Sequence, residues 1–439
     1  MQVSVILKSV TAYVLVLLTC TAYAQHPKDD IKQNIRRSAC TLMAYPGPQH
    51  PKLTPAPKGK HPFYISHYGR YGSHHLLQKE TFDTPCKVLA EADKAGKLTA
   101  KGQDVRRRLE KLRNDAYEQL GELTPTGVRQ QQMIAERMTE RFPEVFDGKT
   151  VVDARSTTVT RCILSMEQFL LQLIRINPQL KVRHNATHRD MVFLNQQDRR
   201  LIASRMDSIT TKQYKSFCSH YNNYNHLMRM LFNDKAYVKQ HVDAKDLNDD
   251  LFRLACNMQN IELRHSVTLY DIFSDQDLYN NWMKENAWWY INHGGYTLNG
   301  GKQPFSQRNL LRRLINDADS CLRLNRPCVQ LRFGHDINIL SLACLMDINH
   351  WGLATSRLST LGKNGWNSYR IAPMAANIQL IFYRSDPNDK DVWVKVLHNE
   401  DEATLPLPSE HAPYYRWSDF RSYYLKKLDD YGGQSPNEK

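Results

Sequence analysis

Apolar and polar positions change rhythm several times along the 439 residues, and each change marks a different kind of element. Residues 25–60 are polar and proline-bearing, which predicts an irregular lead-in. The apolar run Phe63-Tyr64-Ile65, closed by Ser66, predicts the first core strand. From Leu76 to about Arg141 apolar residues recur at helical spacing among many charges, as in Val105-Arg106-Arg107-Arg108-Leu109-Glu110-Lys111-Leu112. Thr150-Val151-Val152-Asp153-Ala154 reads as a brief strand. It leads into a helix with Ser156 or Thr157 as N-cap and with Ile163, Met166, Leu170 and Ile174 on one face.

Residues 198–283 read as further helices, 286–305 as an aromatic, glycine-rich loop, and 309–322 as another helix. Val329-Gln330-Leu331-Arg332-Phe333 alternates like a strand and precedes a helix with Ile337, Leu340, Cys344 and Ile348 on one face. Residues 378–383 and 392–397 read as paired strands around a turn at Asp386-Pro387-Asn388-Asp389. No internal repeat is visible. The fold class expected is α/β: a core sheet built from both ends of the chain and flanked by helices, with a large α-helical cap inserted. The core is expected from about residues 55–75, 145–175 and 325–425, and the cap from about 76–144 and 176–320.

The first residues stand apart from this pattern. Lys8 precedes an apolar stretch from Val10 to Leu18, and Ala22-Tyr23-Ala24 places small residues where a signal peptidase needs them. Residues 1–24 therefore read as a signal peptide, which leaves 25–439 as one exported domain, periplasmic or extracellular. Lipid anchoring through Cys20 ranks lower, because Thr19 is larger than the residue normally wanted before such a cysteine. The apolar stretch is too short for an ordinary membrane span, and no later segment approaches one.

Eight of the 9 cysteines lie beyond that leader. Cys321 and Cys328 are close enough to close a small loop, whereas Cys162, Cys256 and Cys344 sit in apolar helical patterns and read as buried thiols. The absence of any CxxC gives zinc or redox chemistry little support. The net charge of +14 is compatible with a field that draws in a polyanionic small molecule. No zinc-finger spacing and no block of like charge favours nucleic acid as a partner.

Two segments carry chemistry at the ends of predicted strands. Ser66-His67-Tyr68-Gly69-Arg70-Tyr71-Gly72-Ser73-His74-His75 follows the first, and Gly334-His335-Asp336 follows the strand ending at Phe333. Together they point to one anion-handling site at the carboxyl ends of neighbouring strands. A helix start at Asp336 offers free backbone N–H groups to a phosphate, His335 can hydrogen-bond it, and the Asp336 carboxyl can act as general acid. Arg161, a turn and a half into the helix after Ala154, can grip a phosphate in bidentate fashion, with Arg155 six residues before it. The glycines at 294, 295, 300 and 301 match no Walker or dinucleotide spacing. His67, His74 and His75 have no carboxylate at a metal-site spacing, so no metal and no cofactor is expected.

Taken together, these segments resemble the histidine acid phosphatase branch of the histidine phosphatase superfamily, and most of all its bacterial phytase and inositol-polyphosphate phosphatase members. The resemblance runs from about Phe63 to Pro406. Residues 329–336 resemble the family's second signature, and residues 155–166 resemble the segment carrying its middle phosphate-binding arginine, which falls on Arg161. Residues 374–379 and 394–400 resemble its closing strands. The resemblance implies hydrolysis of phosphomonoesters without a metal. An N-terminal Arg-His-Gly-X-Arg signature supplies two phosphate-binding arginines and a histidine that becomes phosphorylated. The His of His-Asp completes the cradle and its Asp protonates the leaving oxygen, roles that fall on His335 and Asp336. A small phosphate ester, an inositol polyphosphate above all, is the implied partner.

This chain departs from that first signature, and two registers compete. On Ser66 to Arg70, His67 and Arg70 match while Ser66 and Tyr68 do not. On Arg70 to His74, Arg70 and Gly72 match, Tyr71 replaces the nucleophile and His74 the second arginine. Context favours the second, because Tyr64-Ile65-Ser66-His67-Tyr68 resembles what precedes the signature in bacterial relatives. Gly72 would also let backbone pass close to phosphate. Tyr71 is then the residue at the nucleophile position, with Arg70, His74 and Arg161 as substrate-binding groups, and His67, His74 or His75 as candidates to stand in for the nucleophile from a neighbouring position. A phenol is a weak nucleophile at neutral pH unless cationic neighbours lower its pKa. Two functions follow: a phosphomonoesterase of doubtful activity, or an inactive relative that binds phosphate esters or serves as a scaffold.

Overall fold

A computed structural model describes residues 26–431; the leader expected at 1–24 lies outside the described residues. Its centre is a sheet of eight strands: β1 His61–Arg70, β2 Val151–Ser156, β3 Lys181–Ala186, β4 Cys328–Gly334, β5 Asn377–Arg384, β6 Trp393–His398, β7 Asp401–Glu402 and β8 Tyr414–Arg416. The order across the sheet is β8-β6-β5-β1-β4-β2-β3, with β7 paired to β6. β1, β4, β2 and β3 run parallel, while β5 and β6 run antiparallel. The carboxyl ends of β1, β4 and β2 thus open on one edge, the usual place for a ligand in such a sheet.

Among the described residues ten helices of ten residues or more surround it: α1 Glu80–Lys94, α2 Ala100–Ala116, α3 Pro125–Arg141, α4 Thr160–Ile176, α5 Ser208–Ser219, α6 Ala244–Asn257, α7 Asp275–His293, α8 Arg308–Cys321, α9 Asp336–Leu345 and α10 Trp417–Asp429. On one face of the sheet Tyr64, Leu380 and Val394 pack against Tyr290 of α7, Leu314 of α8, Leu340 of α9 and Phe420 of α10. On the other, Ile65, Val152 and Leu331 pack against Ile134 of α3 and Phe169 of α4. A further apolar cluster is built mainly by helices and includes Leu89, Leu109, Leu251 and Trp282. α7 belongs to both territories, since its first half joins the helical cluster and its second half the sheet.

β1 outruns its apolar stretch because its polar groups find partners inside. The Ser66 hydroxyl accepts from Arg332 at 3.0 Å, Tyr64 donates to Gln330 Oε1 at 2.7 Å, and Tyr68 donates to the Leu194 carbonyl at 2.9 Å. Polar groups can therefore be buried along the face that carries residues 64, 66 and 68, whereas on the other face His67 Nδ1 is buried without a hydrogen-bond partner among the described residues.

Several boundaries differ from the sequence reading. β2 continues to Ser156, which pairs with Phe333, so α4 begins at Thr160 and not at 156 or 157. α4 buries Cys162, Met166, Phe169, Leu170 and Leu173, while Ile174 faces out. Residues 286–293 are the end of α7 and not a loop; this helix is buried nearly all round, so it shows no amphipathic rhythm. The lead-in is partly helical, at Pro27–Gln33 and Ile35–Leu42, and Ile348 lies past a break after α9. β3 adds a strand inside the stretch expected to be cap. Cys162, Cys256 and Cys344 are buried, and Cys321 and Cys328 stand as thiols. Among the described residues no helix is long and apolar enough to cross a membrane.

Candidate active site

At that open edge the loop after β1, the start of α4 and the start of α9 meet around Tyr71. Register brings them together: Arg70 pairs with Gly334, and the Tyr71 N–H donates to the Gly334 carbonyl at 3.1 Å. His335 is the N-cap of α9 and Asp336 its first residue, while Arg161 is the second residue of α4. Two helix N-termini, with their partial positive charge, therefore flank the same spot. Arg161 thus stands in the first turn of its helix, not a turn and a half in, because α4 starts late.

The loop carrying residues 71–75 is pinned along its length. Ser73 N–H donates to Gln130 Oε1 at 2.8 Å, Ser73 Oγ donates to Asn260 Oδ1 at 2.6 Å, and Thr124 N–H donates to the Ser73 carbonyl at 2.9 Å. Gln131 reaches back to the Arg70 carbonyl at 2.9 Å. Gly72 is required because a Cβ there would strike the backbone of Gly127 in α3. The close approach at Gly72 is thus to a helix, whereas the sequence reading had placed a phosphate there.

Arg70 is 1% exposed, and burying a guanidinium costs several kcal/mol, about the cost of any buried ion, unless it is paired. It is paired: Nη2 lies 3.0 Å from Asp336 Oδ2, and Nη1 donates to the carbonyls of Thr41 at 2.5 Å and Ala372 at 2.9 Å. Burial works against the Asp336 charge, but Arg70 and His335 outweigh it and hold the carboxyl below its usual range. Asp336 Oδ1 accepts from the Ile337 N–H at 2.8 Å. At neutral pH it is a carboxylate.

Tyr71 fills the space between these groups. Its ring has the Arg161 guanidinium at 4.4 Å and the Arg70 guanidinium at 4.9 Å, and it meets His74 and His335 edge-on at 5.0 and 5.6 Å. Its hydroxyl donates weakly to Asp336 Oδ2 at 3.4 Å. The two arginines do not lower the phenol's pKa. Burial and the Asp336 charge prevail and raise it, so the hydroxyl keeps its proton.

The other residues sort by surroundings. Arg161 makes no ion pair or hydrogen bond to any described residue, and its Nε is buried without an acceptor. His335 Nε2 pairs with Thr157 Oγ1 at 3.2 Å, and burial first, then the arginines, push its pKa down to about 4. His74 Nδ1 lies 2.5 Å from the His75 carbonyl, and burial with the two arginines pushes its pKa down to about 3.

His67 is not in this site. It is 1% exposed behind the sheet, between Phe169 and Phe333 at 5.4 and 5.3 Å, so the stand-in nucleophile expected there has no access to a ligand. Arg155 is also elsewhere, bound to Asp190 at 2.8 Å and Asp153 at 3.3 Å. His67 and His74 face different surroundings, and among the described residues no group of three or more metal-ligating side chains could hold an ion.

Arg70, Tyr71, His74, Arg161, His335 and Asp336 all line one cavity of about 570 Å³. Sequence reasoning missed its far wall: Tyr214 of α5, Arg253 of α6, and Glu285, Trp288 and Trp289 of α7. The one signal available was the aromatic pair Trp288-Trp289, obscured by reading that stretch as a loop. Arg253, like Arg161, has no carboxylate within ion-pair distance among the described residues. The cavity therefore presents three guanidiniums, those of Arg70, Arg161 and Arg253, together with the carboxyl groups of Asp336 and Glu285.

Comparison with known proteins agrees with this architecture. The family described as histidine phosphatase superfamily (branch 2) matches residues 75–399. Multiple inositol polyphosphate phosphatase 1 of Gallus gallus is 23% identical over 332 residues, which is 71% of either chain. The structure of Bifidobacterium longum multiple inositol polyphosphate phosphatase, in complex with inositol hexasulfate, superposes with a TM-score of 0.75 at 16% identity, covering 88% of this chain and 97% of that one. The phytase from D. castellii gives 0.67 at 14% identity, covering 90% and 86%. At these identities the structures speak for the fold, and the extent of the family match speaks for descent. The chain belongs to branch 2 of the histidine phosphatase superfamily.

Proposed function

We propose that this chain binds phosphomonoesters, inositol polyphosphates foremost, in a cleft between the core sheet and a helical cap, and that it does not hydrolyse them by the family's usual route. The observation that carries the binding half is Arg161, whose guanidinium lines the cavity with no anion to meet it. Among the described residues it lies over the Tyr71 ring, a contact worth about 0.5–2 kcal/mol. A hydrogen bond to a charged group contributes about 1.5–3 kcal/mol, so a phosphate dianion competes well for it. Arg70 adds a second guanidinium to the same cavity, and the net charge of +14 favours a polyanion. We take residues 1–24 as an export signal, which places the protein in the periplasm or outside the cell.

The second half follows from the register that places Tyr71 where the family has its nucleophilic histidine. A phenol that keeps its proton is a poor nucleophile, and Asp336, held ionised by Arg70, has no proton for a leaving oxygen at neutral pH. The same pair supports a second reading, a protein that binds phosphate esters and performs no hydrolysis at all.

Calorimetry of the full-length protein with inositol hexakisphosphate and with inorganic phosphate tests the binding half. Binding is expected, and Arg161→Ala should weaken it about tenfold or more, the loss of about 1.4 kcal/mol or more of contact. No binding of either ligand would sink the proposal.

A further inference from the structure

We propose that His74 is the phosphoryl acceptor of this cleft, its Nε2 attacking the bound phosphomonoester while the Tyr71 hydroxyl gives its proton to the leaving alcohol oxygen. This rests on the phosphate-binding reading above and supplies it with a chemical step that residue 71 alone does not provide.

The tautomer of His74 is fixed by its surroundings. Nδ1 lies 2.5 Å from the His75 carbonyl, and a carbonyl can only accept, so Nδ1 carries the ring hydrogen and Nε2 keeps its lone pair. Nε2 has no hydrogen-bond partner among the described residues, and the side chain lines the cavity beside Arg70 and Arg161. Burial and those two cations keep the imidazole neutral, with a pKa near 3, so the lone pair is available throughout the neutral range. The backbone beneath it is held on both sides, by Thr124 and Gln130 at Ser73 and by Glu122, whose carbonyl accepts the His75 N–H at 3.0 Å. A nucleophile on so constrained a loop loses little entropy on reaching an attacking geometry.

Tyr71 stands edge-on to this ring at 5.0 Å, and its phenol remains protonated. In water a phenol is a stronger acid than an aliphatic alcohol, which makes the Tyr71 hydroxyl a suitable proton donor to an oxygen that departs as alkoxide. In the first step an Nε2–P bond forms and the P–O ester bond breaks. The leaving oxygen takes the Tyr71 proton, and Tyr71 is left as phenolate between two guanidiniums. In the second step water attacks phosphorus, the N–P bond breaks and returns its electron pair to Nε2, one water hydrogen stays on the phosphate, and the other goes to Tyr71. Arg70 and Arg161 neutralise the transferring group in both steps.

The test uses the full-length protein with p-nitrophenyl phosphate, quenched in alkali, where phosphohistidine persists, and then digested. The phosphoryl group is expected on the peptide bearing residue 74. His74→Asn should slow turnover by on the order of a hundredfold or more with no change in Tm. Imidazole added to His74→Gly should restore turnover by accepting the phosphoryl group itself. Phosphoryl on Tyr71 or His335, or a His74→Asn protein as fast as wild type, overturns the proposal. Phosphate binding without any turnover overturns it too, while leaving the binding reading intact. Absence of phosphate binding overturns both.

Discussion

The Arg70 guanidinium holds the Asp336 carboxylate at 3.0 Å, and this pair keeps a negative charge in the cleft. Three of Arg70's five donors go to a carboxylate and two carbonyls, and the pair keeps Asp336 ionised although the site is shielded. An incoming phosphate therefore meets a negative charge beside the cations meant to receive it.

Asp336→Asn removes that charge and keeps the shape. Inorganic phosphate should then bind about tenfold more tightly at pH 7, a gain of about 1.4 kcal/mol. Folding should suffer, by about 3 kcal/mol, near the lower limit for breaking a buried pair, since Arg70 retains its two carbonyls. Calorimetry and thermal melts check the two halves, and weaker phosphate binding in the variant would contradict this view of Asp336.

Stability should fall on mild acidification. His67, His74 and His293 have folded pKa values near 3, and His335 and His398 near 4, in each case first through burial. All lie below the unfolded value of about 6.5. The unfolded chain therefore binds protons between these limits that the folded chain does not, and stability, fully present above pH 6.5, is lost as pH falls below it. Each unit of pH in that window costs about 1.4 kcal/mol per buried imidazole. Asp336, depressed in the folded state, adds a further loss only below about pH 4. Urea midpoints at pH 7.5 and pH 5 should differ clearly, and equal midpoints would mean these rings are not buried neutral.

Gly334→Ala should disturb the site from below. A methyl group there would land on the Tyr68 hydroxyl, which is committed to the Leu194 carbonyl. A loss of about 1–3 kcal/mol is expected for such overpacking. Tyr68→Phe in the same chain should recover part of it, and additive losses in the two single variants would exclude the clash.

Tyr71→His together with His74→Arg should raise turnover of p-nitrophenyl phosphate above wild type, by about a hundredfold if the new imidazole is well placed. The change restores on the proposed register a ready nucleophile and a second guanidinium. Steady-state kinetics at pH 5 and 7 would register it, and a variant no faster than wild type would count against that register.

The sheet was legible where apolar residues alternate, as at β4, β5 and β6. β1 was seen only from Phe63 to Ser66, because Ser66 and Tyr68 find hydrogen-bond partners more than a hundred positions away in sequence and His67 packs between Phe169 and Phe333. The groups at strand ends, Arg161, His335 and Asp336, stood out as motifs and do converge in one cavity. His67 looked equivalent to His74 on paper; only the pleat of β1 sends it behind the sheet. Arg253, Trp288 and Trp289 were invisible for a different reason. They reach the cleft from helices whose spacing to the motif depends on how the helical cluster folds back, and α7, buried on nearly every side, carries no periodic cue.

The contacts that hold residue 71 make little use of its hydroxyl: two guanidinium faces, two imidazole edges, and one weak bond to Asp336. A five-membered ring would inherit the same walls. Tyrosine and histidine codons differ by a single base, and so do histidine and arginine codons. On the register proposed here, each of the two departures from the family signature is thus one point mutation deep, in a pocket whose lining has stayed suited to either ring.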